Sequence, residues 1–270
     1  VTSIGADAFS ACSGLTGKLV IPESVTSIGN YAFSACNGLT GDLIIPKGVT
    51  SIGKKTFYNC TGLNGKLVIP EGVTHIGGSA FAYCSGLTGD LVIPDTVTAI
   101  GRSAFFCCSG FDGELILGKG IRSLPDTVFQ DMVGITAITF TGAAPSVSST
   151  ALRGMTGVTK VTFRENIPTL NSSALMPFLA LTNLKTVHVP AAHYWECRDL
   201  LSGTGYAHIS VETDFSALAL RRVDTGMVYS RTAVLTWEAH PGSVDSYVIC
   251  RDGTQIGTTE AVCYTDTGMT

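Results

Sequence analysis

The sequence predicts a mainly β fold. Parallel strands on one face and short helical turns on the other form a solenoid, and an incomplete β-sandwich follows. Three observations predict it. The motif Val-Thr-x-Ile-Gly starts at Val1, Val25, Val49, Val73 and Val97, an exact period of 24 residues. A short aliphatic segment ending in proline recurs at the same period. Glycine accounts for 31 of 270 residues, and charged residues for only 14%, against roughly 25% in an ordinary globular chain. Apolar positions recurring at such a period mark stacked supersecondary units that bury a continuous core.

Each element of the unit follows from its residues. Leu19-Val20-Ile21 reads as a strand that Pro22 ends, because proline removes a ladder donor. Its copies are Leu43-Ile44-Ile45, Leu67-Val68-Ile69, Leu91-Val92-Ile93 and Leu115-Ile116-Leu117. Side chains alternate along a strand, so Leu19 and Ile21 face inward and Val20 outward. Val25 and Ile28 pack inward from the opposite wall. Ala8 and Phe9, with copies to Ala104 and Phe105, start a single helical turn that ends near a cysteine. Glycine pairs from Gly14 and Gly17 to Gly110 and Gly113 turn the chain back, where positive φ is cheap only for glycine.

A degenerate copy, Ile121-Arg-Ser-Leu-Pro, keeps the register, and the repeat then loosens. Ile138-Thr-Phe140, Val161-Thr-Phe163, Val187-His-Val189 and Ile209-Ser-Val211 keep the in-out-in strand, at spacings of 23, 23, 26 and 22. Nine rungs end near Val211. Helical excursions are expected at Ser172–Leu181, disturbed by Pro177, and at Ala191–Leu201.

The pattern V-T-x-I-G-x-x-A-F-x-x-C-x-G-L followed by L-x-I-P resembles the BspA-type leucine-rich repeats of bacterial surface proteins. The resemblance covers residues 1–211 and rests on five near-perfect copies. The unit is one residue longer than the common version, through the extra glycine in G-L-T-G. The segment from Val189-Pro190 to Gly205-Tyr206 resembles the closing segment of such arrays. The resemblance implies a secreted or surface-anchored adhesion or ligand-binding role, and it supplies no catalytic residues.

Residues 212–217 read as a linker, and residues 218–270 change character. Ala233–Trp237, Asp245–Gly253, Gln255–Thr259 and Cys263–Gly268 read as successive short strands, with a hairpin signal at Asp252-Gly253. The run resembles the first half of a fibronectin type III domain, with Trp237 where such domains place a core tryptophan. A full sandwich of this class needs about seven strands, and the chain stops at Thr270 short of that number. It also opens within a repeat, without a signal peptide. The expectation is therefore a fragment whose signal and anchor lie elsewhere.

Nine cysteines are present. Cys12, Cys36, Cys60, Cys84 and Cys108 form a ladder at the repeat period. They read as small buried residues below the turn; a metal stripe or disulfides between rungs are the functional alternatives. Zinc sites need clustered spacing, which is missing, so no metal and no cofactor is expected. Cys250 and Cys263 leave a disulfide open.

Ten of the fifteen charges in residues 1–120 fall in two rows. Lys18, Asp42, Lys66, Asp90 and Glu114 precede the strands; Glu23, Lys47, Glu71, Asp95 and Lys119 follow them. Most stacked neighbours have opposite sign, so the rows read as cross-strand ion pairs that fix register. Between them run Val20, Ile44, Val68, Val92 and Ile116, a candidate binding stripe about 19 Å long at about 4.8 Å per rung. Contiguous exposed apolar surface marks binding sites, and solenoids bind on their sheet; simple β-propensity is the other reading. The stripe ends where Thr139, Thr162, His188 and Ser210 replace the aliphatics.

A net charge of −4 implies no basic patch, so nucleic acid is not an expected partner. No apolar run approaches the roughly 18 residues of a membrane span. Nucleophile-elbow, zincin and phosphate-loop motifs are absent. His188 and His208, with Cys197 and Glu196, form only a loose constellation. The sequence therefore points to a non-enzymatic extracellular or cell-surface module that binds a protein or glycan through the solenoid sheet. Self-association in a surface layer or filament is one alternative, and the accessory region of a larger surface enzyme is another.

Overall fold

A computed structural model describes residues 1–165, 177–178, 181–190, 193–203 and 206–213, and the backbone of five strands between 222 and 266. The chain divides into two compact units, Val1–Glu212 and Thr213–Thr270. The first is a solenoid of stacked rungs with three walls.

The main wall is a parallel ladder. Leu43–Ile44 pairs with Leu67–Val68. Leu91–Ile93, Glu114–Leu117, Ala137–Phe140, Lys160–Phe163, Thr186–His188 and Ser210–Glu212 form a six-stranded parallel sheet. Alternation places Leu91 and Ile93 in the core and Val92 outside. Two expected strands are shifted. The first-rung pairing lies at Gly17–Lys18 against Leu39–Thr40, not at Leu19–Val20–Ile21. The Leu19 N–H continues this contact by reaching the Thr40 carbonyl (3.2 Å). The last strand sets Val211, not Ile209, opposite Val187, which restores a spacing of 24. Ile209 is buried in a turn closed by its N–H on the Tyr206 carbonyl (2.9 Å).

The Val-Thr-x-Ile-Gly motif forms a second parallel ladder, which sequence reading placed only as inward-packing residues. Ser3–Ile4 pairs with Ser27–Ile28. Ser51–Ile52, His75–Ile76 and Ala99–Ile100 stack together, as do Ser123–Leu124 and Ser146–Val147. Each strand is two residues long, and its isoleucine or equivalent faces the core.

The third wall corrects the expected helical turn. Residues 5–12 form overlapping β-turns, with N–H groups of Ala8, Ser10 and Cys12 on the carbonyls of Gly5, Asp7 and Phe9. The intervening N–H groups of Asp7, Phe9 and Ala11 reach across to the carbonyls of Asn30, Ala32 and Ser34, at 2.7–2.9 Å. The pattern repeats rung by rung. A helical turn would spend every donor within its own rung; here every second donor ties one rung to the next, which satisfies the buried backbone.

The arrangement needs left-handed residues. Asp7, Tyr31, Lys55, Ser79, Ser103 and Thr127 form one such column; Ala11, Ala35, Asn59, Tyr83, Cys107 and Asp131 form another, all at φ between 53° and 64°. Such a conformation costs roughly 1–2 kcal/mol for a non-glycine residue, which the cross-rung bonds offset. The glycine pairs were expected to supply positive φ. Gly17, Gly41 and Gly89 do, but from the second rung on the first glycine of each pair serves close approach instead. A Cβ on Gly62 would lie 2.2 Å from the Asn37 carbonyl oxygen of the preceding rung.

The core is a set of columns. Phe9, Phe33, Phe57, Phe81, Phe105 and Phe129 stack at 5.1–5.6 Å with planes 3–19° apart. Phe140 and Phe163 continue the aromatic packing on the sheet side, with Phe178 edge-on to both. The closing helix spans Tyr194–Gly203, later than the expected 191–201, and buries Cys197 and Leu201. The helix expected at 172–181 lies almost wholly outside the described residues.

In the second unit, Arg222–Thr225, Ala233–Thr236 and Cys263–Asp266 form one antiparallel sheet, with Ala233–Thr236 central. Tyr247–Arg251 and Thr254–Thr259 form a separate antiparallel pair in which Arg251 opposes Thr254. Asp252-Gly253 and Trp237 lie outside the described residues, as do the side chains of Cys250 and Cys263.

Candidate functional site

The sheet face follows from strand parity. With Leu43 and Ile45 drawn inward, Ile44 must point out, and each rung repeats the choice. Val20 is 74% exposed, Ile44 49%, Val68 47% and Val92 45%. Ile116 is half-buried. Ile44 stands opposite Val68, and Val92 opposite Ile116. Beside this row an open cleft of about 380 Å³ is lined by Glu23, Ile44, Ile45, Lys47, Val68, Pro70, Glu71 and Gly72.

The row continues as Thr139, Thr162, His188 and Glu212. Glu212 takes the place expected for Ser210, because of the shifted last strand. Thr139 is buried and donates its hydroxyl to the Glu114 carboxylate. Lys160 Nζ lies 2.9 Å from Glu212 Oε2, and His188 Nδ1 lies 3.9 Å from the same oxygen. One face therefore presents an aliphatic half and a polar half.

The charged rows act differently from the cross-strand ion pairs expected of them. Among the described residues, Lys119 and Asp95 are the ion pair within these rows, at 3.4 Å. The carboxylates mainly accept backbone N–H groups one rung on. Asp42 Oδ1 accepts from Lys66 N–H (2.9 Å), Asp90 Oδ1 from Glu114 N–H (2.8 Å) and Asp95 Oδ1 from Lys119 N–H (3.0 Å). Asn64 and Asp112 reciprocate, accepting from the N–H groups of Gly41 and Gly89 on the rung before. A backbone donor outside the ladder needs an acceptor, and a short carboxylate reaches it, while exposed lysines gain little from pairing. The backbone N–H of Lys119, above all, holds the Asp95 carboxyl below its ordinary value, with smaller help from the Lys119 ammonium and the Thr141 hydroxyl.

The cysteine column lies behind the turns. Cys36, Cys60, Cys84 and Cys108 are buried, and Cys12, on the first rung, is exposed. Each buried thiol donates to a phenylalanine carbonyl of the preceding rung at 3.0 Å: Cys36 to Phe9, Cys60 to Phe33, Cys84 to Phe57 and Cys108 to Phe81. Burial pushes the Cys60 thiol up to about 12 and raises those of Cys84 and Cys108 as well. Among the described residues these cysteines are free thiols, and no cluster of metal-ligating side chains is present.

The loose histidine constellation is spread over different settings. His188 sits in the sheet row beside Glu212. Cys197 is buried in the closing helix, its thiol raised to about 12 by burial. His208 is exposed in a turn near Tyr206, with ring centroids 6.3 Å apart. The Glu196 side chain lies outside the described residues. A second cleft of about 410 Å³, lined by Arg198, Leu201, Ser202, Ala207, Ile209, Ser210 and Val211, lies against that helix. Among the described residues no helix is long and apolar enough to cross a membrane.

The profile of the family described as "BspA type Leucine rich repeat region" matches residues 1–112 and 88–194, with six copies of the repeat. No curated protein matches the chain. Among solved structures, the chain is similar to the leucine-rich-repeat protein of T. pallidum. Identity is 23% over 78% of this chain and 79% of that one, with a TM-score of 0.46. It is similar to a leucine-rich-repeat protein from Bacteroides ovatus at 20% identity, over 83% and 69% of the two chains, with a TM-score of 0.42. It is also similar to a leucine-rich cell surface protein from Faecalibacterium prausnitzii at 21% identity, over 79% and 70%, with a TM-score of 0.39.

Proposed function

From the premise that the chain belongs to the BspA-type leucine-rich-repeat family, we propose that it is a non-enzymatic binding or adhesion module at the cell surface. It recognises a protein or glycan through the main sheet of the solenoid. The observation that carries this reading is the exposed row Val20, Ile44, Val68 and Val92 beside the cleft at Ile44 and Val68. Aliphatic side chains held at fixed intervals on a rigid sheet lose little entropy when covered, and contiguous apolar exposure favours contact. The surface association common in the family supports the location.

The second unit is consistent with the opening strands of a fibronectin type III-like sandwich. Its first, second and fifth strands pair together and its third and fourth pair separately. Sandwiches of this class divide their strands in that way between two sheets.

The test is an array of immobilised matrix proteins and glycans, probed with the whole chain and with a variant carrying Ile44→Asp, Val68→Asp and Val92→Asp. These positions are exposed, so the variant should fold. The proposal expects loss of the signals the parent chain gives; signals of undiminished strength would refute the sheet-face assignment.

A further inference from the structure

The turn wall holds a cluster that the sheet face does not use. The rings of Tyr58 and Tyr83 meet edge to face at 5.5 Å, and those of Tyr83 and Phe106 at 5.3 Å. Lys55 Nζ lies 4.7 Å from the Tyr58 ring centroid and 5.8 Å from that of Tyr31. Tyr83 is 39% exposed, and Tyr31, Tyr58 and Phe106 are half-buried. The cluster spans rungs two to five, three steps of about 4.8 Å, or about 14 Å.

The fold does not require rings at these places. The column of Tyr31 elsewhere holds Asp7, Ser79, Ser103 and Thr127. That of Tyr58 and Phe106 holds Ser10, Ser34 and Ala82, and that of Tyr83 holds Ala11, Ala35 and Asn59. Tyr31 and Tyr83 also occupy left-handed backbone, at φ 58° and 64°, where bulky side chains are disfavoured. Small residues fill these places on other rungs, so stacking alone does not call for the rings.

Its charge indicates what kind of ligand it fits. Lys55 stands over the rings, and the exposed Lys54 precedes it in the chain, its carbonyl accepting the Tyr31 N–H at 2.9 Å; among the described residues neither lysine has a carboxylate within ion-pair distance. Arg102, in the column of Lys54, is instead paired with Asp126.

We propose that Tyr31, Tyr58, Tyr83 and Phe106, with Lys54 and Lys55, form a binding site for an acidic oligosaccharide. The negative faces of the rings attract the weakly positive C–H groups of a pyranose. The phenol hydroxyls are placed to hydrogen-bond its hydroxyls, and the two ammonium groups hold its carboxylate or sulfate.

The experiment is calorimetric titration of the whole chain with trigalacturonate, a heparin-derived hexasaccharide and sialyllactose, with cellotriose as the neutral probe and a polyglutamate peptide as the acidic protein probe. At least one acidic sugar should bind more tightly than cellotriose. Tyr83→Ala combined with Phe106→Ala should weaken that binding about tenfold, as should Lys54→Gln with Lys55→Gln. Tyr83→Ala and Phe106→Ala install a residue that another rung already holds in the same column, so they preserve the stack. Ser123→Ala, on the exposed side of the second ladder, should leave the sugar affinity unchanged. The proposal is overturned if none of the acidic sugars binds, if cellotriose binds equally well, if the ring variants bind undiminished, or if only the peptide binds.

Discussion

The thiol of Cys84 lies 3.0 Å from the carbonyl oxygen of Phe57, one rung back. The same oxygen accepts the N–H of Cys60, from its own rung, at 3.3 Å. One carbonyl thus closes a turn and fastens the following rung. The solenoid coheres through many contacts of this kind, each joining a rung to its neighbour, as expected when stability is a sum of nearest-neighbour terms.

The buried thiols make stability depend on alkaline pH. Cys60 is raised from 9.0 to about 12 in the folded chain by burial. A raised folded pKa means that the protonated form is the stabilised one. Its contribution is complete below pH 9 and declines as pH rises towards about 12. Urea unfolding followed between these limits should show falling stability, and Cys60→Ala should flatten that fall. At pH 8 a thiol reagent should label Cys12 well before Cys60, Cys84 or Cys108 in the folded chain.

The carboxylate contacts distinguish a hydrogen-bond role from a charge role. Asp90→Ala removes the acceptor of the Glu114 N–H and should cost about 0.5–1 kcal/mol. Asp90→Asn keeps an acceptor oxygen and should cost less than half as much. The difference should persist in 1 M salt, on the order of a 3 Å screening length. Denaturant midpoints for the three chains check this.

The glycine column should behave unequally along the stack. Gly62→Ala drives a methyl group into the Asn37 carbonyl and should destabilise by more than about 3 kcal/mol. Gly14→Ala, the same column on the first rung, has nothing within 4 Å of the new methyl and should cost about 1 kcal/mol or less. Thermal unfolding of both variants measures the contrast.

The periodic chain made the main sheet easy to read. Leu-Val-Ile flanked by proline fixes both a strand and its parity, so the exposed row could be placed from residues alone. The second ladder was not legible, because its strands are two residues long and show no alternation to detect. The turn wall is not legible in the sequence for a related reason. Ala-Phe-x-x-Cys has the i, i+3 spacing that a helical turn and a pair of β-turns share. Choosing between them depends on where the backbone donors go, and no side chain reports that. Beside Asp7, Asn59 and Asp131, the left-handed columns hold Tyr, Lys, Ser, Thr, Ala and Cys, residues that give no signal for positive φ. The charge rows were visible as charges, but Asp42 and Asp90 act through the reach of a short side chain to a backbone N–H. At the last rung the strand sits two residues later than Ile209 implies, with Val189 donating to the Glu212 carbonyl (2.9 Å), a backbone contact that the aliphatic pattern does not report. The aromatic cluster leaves no pattern in the sequence because its members come from different columns of different rungs and converge only in space.

Recognition through the main sheet is the central claim, and two single substitutions test it most directly. Val68→Asp places a carboxylate in the middle of the exposed row; Ser51→Asp places the same charge on the exposed edge of the second ladder. Their affinities for the strongest ligand from the matrix and glycan array should be measured side by side. The account predicts a loss of at least about tenfold for Val68→Asp and an unchanged value for Ser51→Asp. Equal affinities, or a loss confined to Ser51→Asp, would contradict it.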